Sequence, residues 1–209
     1  MRIAVLLYPD FTTLDAVGPY EVLSRIPGAE VVFTAAGRGP VRNDLTSLAI
    51  TADAALDEVD SADLLLVPGG PGTEAQLTDE AVLDWVRRID ATTTWTTSVC
   101  SGSLLLGAAG LLRGRRATSH WGVLDQLPRF GAEPTGSERI VVDGKYATAA
   151  GVSAGIDLAL TLTGLIAGDE TAQAIQLLIE YDPQPPYVAG SLAKASPEVV
   201  AGAHRLLQG

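Results

Sequence analysis

Apolar residues follow two rhythms along this chain. The continuous apolar run at 3–7 has the character of a strand covered on both faces, and 29–35, 63–67 and the β-branched run at 93–99 read as further strands. Between them, apolar positions recur at helical spacing over 13–23, 79–89, 101–109, 154–167, 170–180 and 197–207. Asp79 and Glu80 open the second of these stretches, where a helix dipole favours negative charge. Weak alternation over 41–51 predicts a hairpin. A second hairpin is predicted at 140–142 and 145–149, flanking Asp143-Gly144. A short strand at 116–119 and a helix around 121–129 fill the remaining interval, and "YDPQPPYVAGS" is a Pro-rich surface segment. There are no repeats, linkers or low-complexity tracts.

Strands alternating with helices predict an α/β sandwich around a mostly parallel sheet. In such folds sites collect beyond the carboxyl ends of the strands. Three features fall there: residues 9–15 after the first strand, "PGGPG" at 68–72, and Cys100 after the run at 93–99. The chain has 209 residues, 47% of them apolar and 19% charged, which is enough for one core and predicts a single domain over 1–209. A net charge of −11 argues against nucleic acid and against an anionic membrane surface as partners. The longest apolar run, 104–112, is too short to span a bilayer. The opening segment lacks a signal-peptide cleavage site, and one cysteine forms no internal disulfide, so a cytoplasmic location is expected.

Cys100 is the only thiol and stands where a buried strand turns into a helix. A residue at such an elbow is lifted toward the sheet edge. The free amides of the helix start should favour thiolate, and Gly102 permits close approach. Most free cysteines are inert core residues, but the elbow position favours a reactive thiol here. Asp15 is either a first-turn dipole partner or an acid beside the thiol; its position alone leaves both open. His120, before Trp121, reads better as a packed residue behind the site than as a direct activator of the thiol. Glu21 reads as solvent-facing, and Ser98 and Ser103 as packing or capping residues. "PGGPG" lacks the Lys-Ser/Thr of a phosphate loop, and two distant His with one Cys do not make a metal site.

"PGGPG" (68–72), "SVCSGSLLLGAAGLL" (98–112), "ATSHW" (117–121) and "TAAGVSAGIDLAL" (148–160) resemble the DJ-1/PfpI superfamily over nearly the whole chain. Within it, "TTLDAVGPYEVL" (12–23), the cysteine elbow and "IEYDPQPPYVAGS" (179–191) are most similar to the isocyanide hydratases. The resemblance implies a flavodoxin-like three-layer sandwich, akin to class I glutamine amidotransferases, that forms a homodimer and uses no cofactor or metal. It implies Cys100 as nucleophile, Asp15 as its acidic partner, and Ser101 as a catalytic residue at a position usually held by Thr, whose hydroxyl is needed there. The amides of Gly70 and Ser101 would form an anion hole, and Gly151 and Val152 would line the thiol from the other side. The substrate would be a small isocyanide, hydrated to an N-formamide through a cysteine thioimidate.

Four other activities occur in the same superfamily. Glyoxalase III or deglycase chemistry on 2-oxoaldehydes usually has Glu at the acidic position and leans on the His. PfpI-type peptidases have His directly after the Cys, where Ser101 stands here. Regulators of the AraC type carry a basic DNA-binding extension. A redox-sensing stress protein would use the thiol as an oxidisable group.

Overall fold

The computed structural model describes residues 1–208. In chain order the elements are β1 (Arg2–Leu6), α1 (Thr13–Leu23), β2 (Glu30–Ala35), β3 (Gly39–Arg42), β4 (Ala49–Ala52), β5 (Ala54–Ala55), β6 (Leu64–Val67), α2 (Thr73–Gln76), α3 (Glu80–Asp90), β7 (Trp95–Val99), α4 (Gly102–Ala108), β8 (Arg116–Ala117), β9 (Glu133–Pro134), β10 (Ile140–Asp143), β11 (Tyr146–Ala149), α5 (Ala154–Ala167), α6 (Asp169–Leu178) and α7 (Pro197–Gln208). Two 3-10 turns, Leu56–Glu58 and Leu124–Phe130, complete the set. The chain divides into two compact units, Met1–Ile179 and Glu180–Gly209. The first holds every strand and the site. The second carries the Pro-rich segment and α7.

Seven strands form one sheet in the order β10-β11-β7-β6-β1-β2-β5. All neighbours run parallel except β10 and β11, whose hairpin pairs Asp143 with Tyr146. Ile3, Ala4, Leu64, Leu65 and Leu66 are fully buried, as continuous apolar strands covered on both faces must be. The crossover through α1 moves the chain from β1 to β2, and the one through α3 moves it the opposite way, from β6 to β7. Right-handed crossovers in opposite directions put their helices on opposite faces of the sheet. Accordingly α1 packs with α5 and α5 with α6, while α4 packs with α2 and α3. The fold is a flavodoxin-like α/β sandwich. Its direction of growth reverses between β1 and β6, and β7 lies next in line, so the carboxyl ends of these three strands are neighbours. That reversal is where such sheets open a crevice for ligands.

Boundaries depart from the sequence pattern in a few places. The helix expected around 121–129 is a 3-10 turn at Leu124–Phe130, because Pro128 inside it supplies no amide for an α-helical bond. The strand expected at 116–119 keeps only two residues, paired with β9 outside the main sheet. The hairpin at 41–51 is present as β3–β4, one of two small separate sheets. α2 and β5 carry no periodic signal and were not anticipated. α3 begins as its composition suggests, with the Asp79 carboxylate accepting the amides of Ala81 and Val82.

Candidate active site

Cys100 follows β7 directly and has φ +59°, a left-handed conformation that costs a non-glycine residue energy. The turn holds because its surroundings leave no alternative. The Cys100 amide is tied to the carbonyls of Ala149 and Ala150, and its carbonyl accepts the Ser119 hydroxyl at 2.9 Å. Gly102 lets α4 start against β6, since a Cβ there would lie 2.2 Å from the Val67 carbonyl oxygen. The sulfur's residue is 7% exposed, at the mouth of the crevice between the strand ends.

Asp15 projects from the first turn of α1 and is fully buried. Its Oδ2 accepts the Gly69 amide at 2.8 Å, while its Oδ1 is buried with no hydrogen-bond partner. The Cys100 thiol lies close enough for the two groups to shift each other's proton affinity. Burial raises the Asp15 carboxyl to about 7, and the Gly69 amide only partly offsets it. The thiol is pushed up to about 12, first by burial and then by the neighbouring carboxylate. The amides of Ser101 and Val152 donate to the sulfur and pull the other way, but they lose. A helix start was expected to favour thiolate; here desolvation outweighs it.

The amide of Gly70 is also committed. It donates to Ser101 Oγ at 3.0 Å. The anion hole expected from the amides of Gly70 and Ser101 is therefore already occupied, one amide by a hydroxyl and the other by the sulfur. Ser101 Oγ also bonds Thr73 Oγ1 at 2.8 Å, Thr73 bonds the Tyr8 hydroxyl at 3.0 Å, and that hydroxyl donates to the Pro68 carbonyl at 2.6 Å. Tyr8, Thr73 and Ser101 are all buried. Sequence reasoning missed Tyr8 and Thr73. Both sit beside features it singled out, the end of β1 and "PGGPG", and adjacency to those turns was the only signal.

Val152, just before α5, reaches the thiol from the far side, and Gly151 precedes it against His120. Val152 has φ +35°, rare for a β-branched residue, and that conformation accompanies an amide that donates to the sulfur. His120 packs behind this loop. A Cβ on Gly151 would sit 2.4 Å from the His120 ring. His120 Nδ1 accepts the Gly122 amide at 3.1 Å, which leaves the proton of the neutral ring on Nε2. Partial burial lowers its proton affinity further. Glu21 points outward and pairs with Arg25 at 2.9 Å. Ser103 bonds the Cys100 carbonyl at 3.4 Å, and the buried Ser98 hydroxyl has no partner.

A buried thiol on an elbow, a carboxyl beside it that titrates near neutrality, and amides aimed at the sulfur form an arrangement that can supply a nucleophile together with an acid–base partner. Comparisons with known proteins identify the family. The profile of the DJ-1/PfpI family matches residues 1–164, and the chain belongs to that family. It is 42% identical to the isonitrile hydratase of Pseudomonas putida over 205 residues, 98% of this chain and 89% of the relative. A deglycase of Pyrococcus abyssi is 30% identical over 70% of this chain and 87% of its own length. A THiJ/PfpI family protein from Pseudomonas syringae has the same fold, with a TM-score of 0.95 and 40% identity over 99% of this chain and 86% of that one.

Proposed function

We propose that the protein hydrates isocyanides to N-formamides, with Cys100 as nucleophile and Asp15 as both acid and base. The observation that carries this reading is the coupled pair: a fully buried carboxyl at about 7 beside a thiol near 12. Once Asp15 ionises, above a pH of about 7, the pair holds one proton, on sulfur. Asp15 takes it as the thiolate attacks the isocyanide carbon. One N≡C electron pair becomes the nitrogen lone pair. The carbon lone pair then receives the same proton from Asp15, leaving a thioimidate on Cys100. Water next adds to that carbon. Asp15 accepts a water proton and passes it to nitrogen. The tetrahedral adduct collapses, the C–S bond breaks with its electrons on sulfur, and the hydroxyl proton returns to the pair. The Ser101 and Val152 amides support the sulfur's charge when it attacks and when it leaves.

The 42% identity to an isonitrile hydratase supports the substrate class, and the weaker likeness to a deglycase ranks 2-oxoaldehydes second. His120 gives the second reading little help, because its Nδ1 is spent on Gly122 and its ring on Gly151. The proposal includes a cytoplasmic homodimer. Leu165, Leu177 and Leu178 on α5 and α6 are more than half exposed, which suits a two-fold contact. The test is an ultraviolet assay of the purified protein with para-nitrophenyl isocyanide beside methylglyoxal. Turnover of the isocyanide, lost in Cys100→Ala, supports the reading; turnover of methylglyoxal alone overturns it.

A further inference from the structure

We infer that the Ser101 hydroxyl is a specificity-determining group that closes this site to carbonyl substrates, by occupying the amide that would receive their oxyanion. The inference rests on the isocyanide reading and deepens it.

Four backbone amides in the turns around Cys100 and Asp15 have assigned partners. Gly69 donates to Asp15 at 2.8 Å and Gly70 to Ser101 Oγ at 3.0 Å; Ser101 and Val152 donate to the Cys100 sulfur. The direction of the hydroxyl chain follows from counting protons. The Tyr8 hydroxyl has one, and it goes to the Pro68 carbonyl at 2.6 Å. Tyr8 therefore accepts from Thr73 at 3.0 Å, and Thr73, its proton spent, accepts from Ser101 at 2.8 Å. Ser101 Oγ is left with lone pairs only, and one faces the Gly70 amide. The other acceptor for the Ser101 proton, the Gly70 carbonyl, is farther away at 3.3 Å. Tyr8, Thr73 and Ser101 are 2%, 3% and 8% exposed, so the hydroxyl chain itself is shielded from water.

The two candidate reactions place charge differently. When the thiolate adds to a 2-oxoaldehyde, the S–C bond forms and the C=O π pair moves to oxygen. That oxygen then takes the proton the thiol lost, giving a hemithioacetal. Such an oxygen needs an amide donor within about 3 Å. When the thiolate adds to an isocyanide, no oxygen is present, and the charge that develops on carbon is quenched by the Asp15 proton. This site spends its donors on sulfur and on Asp15, and caps the remaining amide with a hydroxyl. An incoming carbonyl oxygen would meet a lone pair where it needs a donor, which is discrimination by an unpaired polar group.

Removing Ser101 Oγ frees the Gly70 amide. Removing the Thr73 hydroxyl does not, because Ser101 then turns its proton to the Gly70 carbonyl and still accepts the amide. The experiment titrates methylglyoxal, carbon-13 labelled at the aldehyde, into wild type, Ser101→Ala, Thr73→Val and Cys100→Ala. Hemithioacetal on Cys100 is read by carbon NMR, with Cys100→Ala as the blank. Ser101→Ala should bind roughly 5- to 10-fold tighter than wild type, the scale of one hydrogen bond to a neutral hydroxyl oxygen, and Thr73→Val should stay within about 2-fold. Equal gains in both variants would mean a loosened site, and no gain in Ser101→Ala would mean the amide does not serve oxygen; either overturns the inference. Isocyanide turnover by the wild-type sample is measured alongside. Its failure would overturn the substrate assignment, while a gain confined to Ser101→Ala would still support the role given to the amide.

Discussion

Burial makes the ionised form of Asp15 costly. Its carboxyl titrates at about 7 instead of near 4 because burial penalises the charged form more than the Gly69 amide and the Cys100 thiol favour it. The mechanism needs it ionised while the thiol keeps its proton. Below pH 7 both groups are protonated and the thiolate cannot form. Isocyanide kcat/KM should therefore rise with pH through about 7 and hold a plateau well into the alkaline range, since the thiol titrates near 12. A profile that falls as pH rises through 7 would contradict the assignment. Stability should run the other way. A carboxyl whose proton affinity is raised on folding stabilises the native state below its unfolded value and loses that contribution as pH rises through the folded one. Asp15→Asn still accepts the Gly69 amide and never ionises. Its melting temperature should exceed that of wild type by several degrees at pH 8, a few kcal/mol at most, and match it at pH 4 or below. Cys100 was legible as a lone thiol between a strand and a Gly-rich helix, and Asp15 through its motif. Tyr8 and Thr73 were not, because their roles depend on contacts such as Tyr8 to Pro68, 60 positions apart.

Among the elements, what the sequence disclosed and what it hid have physical causes. Buried parallel strands and the helix at 154–167 announce themselves through continuous or periodic apolar residues, and α5 spans the expected range. The four residues of α2 are too few to display a helical period, yet they place Thr73. The elbow's dependence on glycine was only half visible. Gly102 was anticipated, but the partner of Gly151 was not, because His120 reaches it from a different segment. Gly151→Ala should drive a Cβ into the His120 ring, disturb the Val152 amide and lower kcat/KM by ~10-fold or more. Adding His120→Ala opens the space, and the double variant should recover most of the loss. Losses that simply add would show that the ring and the loop do not collide.

At the scale of the whole molecule, the strand order makes the site. Because β7, β6 and β1 are neighbours, Cys100, the Gly69–Gly70 turn and the Tyr8–Asp15 segment converge from positions far apart in sequence. The exposed leucines of α5 and α6 extend the same logic to assembly. Light scattering at micromolar concentration should give the mass of two chains, and a monomer would contradict the proposed homodimer. The central claim is that Asp15, and not His120, handles the proton. It is tested most directly by kcat/KM on para-nitrophenyl isocyanide for Asp15→Asn and His120→Ala, with both folds verified by circular dichroism. Asp15→Asn should lose ~100-fold or more, the usual scale for a missing general acid, and His120→Ala less than ~10-fold. A dead His120→Ala beside an active Asp15→Asn would contradict the claim and make this a Cys–His enzyme.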